Sequence, residues 1–399
     1  MPVTTHADPL GQRIVRLRET VAATGLRHLA VEVASGPDLV VALRALRPLD
    51  ASVVVVGPTT PASALAELRP QAVLDVASGR IRPTGDGGRP TGAGQGGLWI
   101  FSSGTTGTPT PTYWPWPELT RGADWDTAHR DERWGIGYAP FTYAGVEAVS
   151  QALGRAASID FLTPTDLAAG TGARYDVVAG TPSFWRMAAL HRGTDEARPR
   201  VHTVSMGGEP VDAQLLRLIE SAFAPQRVLQ FYASTELGRI ATVSDGLPGL
   251  PLSVLDGYGP TGKALTVRDG ELLLSSAPDA PYLPTGDEAA IHGGRLHILG
   301  RRGEVINVGG VKVVPGHVAR LLRELPDVVA VRVYPVRSSV LGAVVGADVV
   351  APPGADRDLV VQRVKAHARR VLAPAEQPRR VTVVDQLPMA PSGKAARGE

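Results

Sequence analysis

The chain has 399 residues, enough for two or three domains, with 43% hydrophobic and 20% charged residues, an ordinary soluble globular composition. Its 41 basic and 39 acidic residues leave a formal charge of only +2, which gives no support to nucleic-acid binding. There is no cysteine, which excludes disulfides, thiolate metal sites and a cysteine nucleophile and fits a reducing cytoplasm. The opening Met1-Pro-Val-Thr-Thr-His6 lacks the basic-then-apolar pattern of a signal segment. No uninterrupted apolar run approaches the ~18 residues of a membrane span. The expectation is a cytoplasmic protein without membrane attachment.

In chain order, residues 10–24 place Ile14, Val15, Leu17 and Val21 among arginines, a helical face. Residues 28–33 read as a buried strand, and Pro37 opens a helix over 38–46. Residues 51–56 are nearly all β-branched, a second strand, and Pro61 begins another helix. This alternation predicts a parallel α/β unit. The glycine-rich segment 79–97 is expected to be a loop, leading into a strand at Leu98-Trp-Ile-Phe101. Trp114, Trp116, Trp125 and Trp134 read as packing under a long loop over 113–134, with stacking on a substrate as the alternative.

A helix is expected at 145–154, and short strands of a second α/β layer at 177–180 and 201–206. Phe184, Trp185 and Met187 lie on a core helix between them, followed by an amphipathic helix over 212–223. Residues 250–300 alternate short strands with Gly and Pro, a small barrel-like β subdomain. Beyond Gly300-Arg-Arg-Gly303, strands at 329–336, 341–350 and 380–384 and a helix at 358–372 predict a small α+β domain.

The stretch around which the rest is organised is Phe101-Ser-Ser-Gly-Thr-Thr-Gly-Thr-Pro109. Glycines let the backbone turn tightly near a ligand, and consecutive N–H groups flanked by hydroxyls form an anion-binding concavity. The natural guest is a polyphosphate, although no Gly-Lys-Ser/Thr closes a standard P-loop. Alone, such a stretch is more often a linker.

It does not stand alone. Gly207-Gly-Glu-Pro210, Phe231-Tyr-Ala-Ser-Thr-Glu236, Tyr282-Leu-Pro-Thr-Gly-Asp287, Leu299-Gly-Arg301 and Pro391-Ser-Gly-Lys394 follow in order. Together they resemble the motif series of the adenylate-forming superfamily: acyl- and aryl-CoA ligases, nonribosomal adenylation domains and luciferases. The resemblance covers roughly residues 98–399. It implies a large α/β N-terminal domain of stacked sheets with a small β-barrel-like subdomain over 1–301, shortened at its start. A mobile α+β lid over 302–399 would rotate about a hinge at Gly303.

The implied reaction uses ATP and Mg²⁺. A substrate carboxylate attacks the α-phosphorus, pyrophosphate leaves, and an acyl-adenylate remains. By resemblance, Ser102, Ser103, Gly104, Thr105, Thr106 and Gly107 cradle the β- and γ-phosphates. Thr235 hydrogen-bonds the α-phosphate and Glu236 holds the metal. Tyr232 lies against the adenine with Gly208, Glu209 and Pro210 beside it, and Asp287 and Arg301 anchor the ribose. Lys394 swings between carboxylate and α-phosphate, where a compact ammonium suits a point charge. Tyr143, standing where many relatives place a histidine, would line the acid pocket with Met206, Gly207, Phe231 and Ala233. These suggest a hydrophobic acid, aromatic acids included.

The chain departs from the pattern at Thr110, where relatives usually carry lysine, and at Gly303, where they commonly carry Asp or Lys. The acceptor therefore stays open: CoA, the phosphopantetheine of an acyl carrier protein, or an amine or other nitrogen nucleophile. A non-catalytic nucleotide-binding relative is the reading from a different class. Retention of Thr235, Glu236, Asp287, Arg301 and Lys394 argues against it.

Overall fold

The computed structural model describes residues 9–58, 60–85, 96–102, 109–120, 125, 131–170, 172–191 and 199–394. Contacts divide the chain into two compact units. The first comprises Met1–Gly180, Gly193–Ser205 and Ala233–Gly238; the second comprises Thr181–Arg192, Met206–Tyr232 and Arg239–Glu399.

The first unit opens with α1 (Pro9–Thr24), β1 (His28–Glu32), α2 (Gly36–Leu46), β2 (Ser52–Val56), α3 (Ala62–Leu68), β3 (Ala72–Asp75), β4 (Arg80–Pro83), β5 (Gly97–Phe101) and β6 (Pro111–Pro115). They build a six-stranded sheet of order β4-β3-β1-β2-β5-β6. Its central pairs are parallel, with His28 beside Ser52 and Val53 beside Leu98, while β4 and β6 close the edges antiparallel. Parallel strands are covered on both faces, which is why β1 and β2 are each buried at four consecutive positions. Helix α2 starts at the Ser35 cap and buries Leu39, Val40, Val41, Leu43 and Leu46, apolar nearly all round. On α1, Ile14, Leu17 and Val21 are buried as expected, but Val15 faces out.

Two expected loops contain regular structure. Residues 79–97 include β4, and 113–134 include the end of β6, α4 (Trp116–Thr120) and the start of β7 (Glu132–Ile136). Trp116, Trp125 and Trp134 are buried there, and their indole N–H groups donate to Ala51 O, Ser150 O and the Glu132 carboxylate. Packing is their role. The unit continues through α5 (Tyr143–Leu153), β8 (Ala156–Phe161), α6 (Pro164–Ala169), β9 (Arg174–Gly180) and β10 (Arg200–Gly207), with the order β10-β9-β7-β8 in a second sheet.

In the second unit, α7 (Pro182–Leu190) packs on α8 (Ala213–Phe223). Trp185 is fully buried and meets Phe223 edge-on at 5.4 Å between centroids. Strands β11 (Arg227–Ser234) and β12 (Gly238–Val243) are neighbours. The strands β13 (Leu250–Pro251), β14 (Ala264–Arg268), β15 (Glu271–Ser275), β16 (Leu283–His292) and β17 (Arg295–Arg301) form an antiparallel sheet of order β13-β17-β16-β15-β14. This is the small β subdomain expected from the alternating sequence.

The C-terminal sheet follows as β18 (Ile306–Val308), β19 (Val311–Val313), β20 (Ala330–Ser338), β21 (Gly342–Val350) and β22 (Arg380–Val383), flanked by α9 (Pro315–Leu322) and α10 (Arg357–Val371). The first turn of α9 presses onto the end of β17 so closely that a Cβ on Gly316 would lie 1.4 Å from Leu299 O. Among the described residues, no helix is long and apolar enough to cross a membrane.

Candidate active site

The β16–β17 hairpin sets Asp287 directly opposite Arg301. Arg301 Nε lies 3.0 Å from Asp287 Oδ1, and Arg301 Nη1 donates to Thr285 O at 2.7 Å. Tyr232 of β11 donates its phenol to Asp287 Oδ2 at 2.7 Å. The turn into this position is local: Asp287 N donates to Thr285 Oγ1 at 3.1 Å, and Gly286 takes a φ of +75° that favours glycine. Burial first, and then the negative Asp287, push the Tyr232 phenol above its ordinary range, so it stays a neutral donor. Three residues singled out in separate motifs therefore form one cluster.

The Gly207–Pro210 turn is shaped by close approach. A Cβ on Gly207 would meet Phe231 O at 2.9 Å, and Gly208 has a φ of +87°. The Lys394 side chain packs on Gly208: Cε and Nζ lie 3.1 and 3.4 Å from where a Cβ would stand. Next in the chain, Glu209 accepts from the backbone N and hydroxyl of Ser183 at 2.8 and 2.9 Å, which pins the turn to the first turn of α7. The segment before Lys394 is anchored on the same helix, where Thr181 Oγ1 donates to Gly393 O at 2.8 Å. A tight turn, with Ala390 N donating to Lys394 O and Gly393 N to Ala390 O, shapes the tail.

Thr181 and Ser183 were not singled out from the sequence. Their signal was legible as a helix start, a threonine cap followed by Pro182.

The remaining expected residues lie mostly in the first unit. Ser102 N donates to Thr110 O at 2.9 Å, between the end of β5 and the start of β6. Ser103, Gly104, Thr105, Thr106 and Gly107 lie outside the described residues. Thr235 offers its carbonyl to Trp114 Nε1 at 2.9 Å, and Glu236 is exposed at the turn after β11. Tyr143, the first residue of α5, is buried with its ring 5.1 Å from Trp114. The same two rings crowd Gly238, where a Cβ would stand 2.7 Å from Trp114 and 2.9 Å from the Tyr143 hydroxyl. Trp114 and Gly238 are additions to the residues expected here.

Ala233 is half-buried. In the second unit, Phe231 lies under the Arg239 guanidinium at 4.1 Å, and Met206 is fully buried as packing beneath the turn. In Gly300-Arg-Arg-Gly303, the conformation that demands glycine falls on Gly300, with φ +139°, while Gly303 sits in a short helical turn.

Among the described residues, no group of three or more His, Cys, Asp or Glu side chains could hold a metal by itself. A magnesium ion does not need one. It takes one or two carboxylates and fills its shell with waters and substrate phosphates, and the exposed carboxylate of Glu236 is of the type that fits.

Residues 89–292 match the family model for AMP-binding enzymes, and residues 317–394 match that for the AMP-binding enzyme C-terminal domain. The chain is 26% identical over 263 residues to the mitochondrial acyl-coenzyme A synthetase ACSM2 of Rattus norvegicus, which covers 56% of this chain and 45% of that protein. It is 26% identical over 242 residues to a 2-succinylbenzoate–CoA ligase of Listeria monocytogenes, covering 55% and 49%. The chain thus spans about half the length of these curated relatives. Its fold matches the crystal structure of the anthranilate CoA ligase AuaEII with a TM-score of 0.72 at 16% identity, over 97% of this chain and 89% of that one.

Proposed function

This chain belongs to the AMP-binding enzyme family, and from that premise we propose that it activates a carboxylic acid with ATP as an acyl-adenylate, releases pyrophosphate, and passes the acyl group to a thiol. The thiol would be CoA or the phosphopantetheine of an acyl carrier protein. The observation that carries the reading is the Lys394 side chain packed on Gly208. It joins the last motif of the chain to the turn proposed to flank the nucleotide.

A carboxylate is a poor electrophile in water, and the task is to bring two anions together. One carboxylate oxygen forms a bond to the α-phosphorus while the bond to pyrophosphate breaks. The protein's contribution is positioning and charge stabilisation. The Lys394 ammonium would stand between carboxylate and α-phosphate, where negative charge crowds. Asp287, oriented by Tyr232 and Arg301, would accept from the ribose hydroxyls, and Gly208, Glu209 and Pro210 would border the adenine.

Ser102 and the loop residues after it would donate to the β- and γ-phosphates, and Thr235 to the α-phosphate. Glu236 would hold magnesium, which when bound neutralises phosphate charge. Tyr143, Gly207, Phe231 and Ala233 would face a hydrophobic acid, with Met206 supporting them from beneath. Residues 1–301 would serve as the adenylating core and 302–399 as a lid turning near Gly300–Gly303 for the second half-reaction.

The test is pyrophosphate release with ATP and Mg²⁺ across aryl, enoyl and fatty acids, with and without CoA. Turnover with one acid supports adenylation, and a CoA thioester in the same tube supports the thiol acceptor. Adenylate without thioester redirects the acceptor to a carrier protein or an amine. Silence across the panel with ATP still bound would overturn the catalytic reading.

A further inference from the structure

Three charges that stand far apart in the sequence meet in the second unit. Arg186, in the middle of α7, is buried. Its Nη2 lies 2.6 Å from Asp212 Oδ2, and its Nη1 donates to Val329 O at 2.6 Å. Asp212 is the N-cap of α8, with Oδ1 accepting from Leu215 N at 2.8 Å. Arg323, the C-cap of α9, brings its Nε to 3.2 Å from the same Asp212 Oδ2.

Two guanidiniums therefore share one carboxylate, and the Val329 carbonyl takes one of the remaining donors. Unlike an exposed ion pair, a largely buried cluster of this kind is costly to leave half-made. Around it Val329, Ala330, Val350 and Leu387 pack against Leu190 of α7 and Leu218 of α8.

Helix α7 consequently holds the C-terminal residues at two points. Thr181 at its cap takes the carbonyl of Gly393, and Arg186 further along takes the carbonyl of Val329. Between those points Ser183 fixes Glu209, next to the Gly208 on which Lys394 rests. One rigid helix sets the spacing between the turn and the residue that reaches it.

We infer that Arg186, Asp212 and Arg323 form a latch that fixes the register of the C-terminal residues on α7 and α8 and so holds Lys394 at Gly208 for adenylation. They are positioning residues acting through Lys394, and the inference rests on the role given to that lysine above. A lysine ends a flexible four-carbon stem, so its backbone must be delivered accurately, and misplacement by ~1 Å can cost ~10²-fold in rate. The latch also has to open if the lid turns, and it is built for that. It is made of a few polar contacts, the Arg323 one an ion pair without hydrogen-bond geometry, and a small apolar patch rather than a broad core.

Arg323→Gln tests this in the full chain, because it leaves the buried Arg186–Asp212 pair intact. ATP–pyrophosphate exchange should lose about 10- to 100-fold in kcat, with the KM for ATP within about twofold of wild type. Arg323→Lys should recover much of the loss. Hydrogen exchange should quicken in residues 384–394 while α7 and α8 keep their protection.

Unchanged kcat with unchanged exchange would overturn the latch. So would a joint collapse of kcat, KM and helix protection, which would mark a merely structural role. If wild type itself shows no exchange of pyrophosphate, the proposed function fails instead, and the hydrogen-exchange arm still decides whether Arg323 holds the tail.

Discussion

Asp287 and Arg301 are partners across the β16–β17 ladder, with Arg301 Nε 3.0 Å from Asp287 Oδ1, while Tyr232 donates to the other carboxylate oxygen. A carboxylate gripped on both oxygens has one orientation. That is what the ribose-binding role proposed for Asp287 requires.

Asp287→Ala should therefore weaken ATP binding by at least tenfold, measured by calorimetry or as the KM for ATP. It should also destabilise the fold by about 1–3 kcal/mol, because the buried Tyr232 phenol loses its acceptor. Unaltered ATP affinity would remove Asp287 from the nucleotide site.

Lys394→Ala should leave ATP affinity close to wild type and lower the adenylation rate by about 10²–10³-fold, the loss typical of one donor aimed at developing charge. Single-turnover pyrophosphate release measures it. Unchanged turnover would refute the role.

Tyr232 predicts a pH dependence. Burial and Asp287 raise the folded phenol above its ordinary value of 10.0, which the unfolded chain keeps. The stability this group contributes is complete below pH 10. It is lost as pH rises beyond that, because the unfolded state then binds fewer protons than the folded one. Tyr232→Phe should be less stable at neutral pH by about 1.5–3 kcal/mol, the worth of a hydrogen bond to a charged group, and its Tm should fall less steeply above pH 10. Thermal melts between pH 7 and 11 decide the matter, and identical alkaline slopes would count against this account.

Gly316→Ala should be among the most damaging single changes. The added methyl would stand 1.4 Å from Leu299 O, a backbone atom that cannot swing away. Overpacking usually costs about 1–3 kcal/mol and here should reach or exceed the top of that range. A Tm within a degree or two of wild type would show that α9 can shift off β17.

The elements that the sequence made legible are those with one strong period or cap. Residues 212–223 read as an amphipathic helix and form α8, started by Asp212, and the buried strand read at 28–33 and the β-branched run at 51–56 form β1 and β2. Strand β4 was missed because it is an edge. In Arg80-Ile-Arg-Pro83 only Ile81 is even half-buried, so no alternation marks it.

The motif residues were legible one at a time, but not their joins. Nothing in the order of residues says that Glu209 is held by Ser183, or that Arg186 reaches Val329 O. Such contacts are set by how helices pack, and a charge on a helix looks the same in sequence whether it meets water or a buried carboxylate.

The hydroxyl of Thr181 has one proton to give and two lone pairs to offer. It spends the proton on Gly393 O and a lone pair on Phe184 N, the N–H that it caps. Departure of the tail therefore leaves the cap intact: the O–H turns to water, and α7 does not fray. Undocking at this point forfeits a single neutral hydrogen bond, about 0.5–1.5 kcal/mol. A tail that left in the proposed lid rotation would therefore find the berth in the same shape on its return, with no helix to refold.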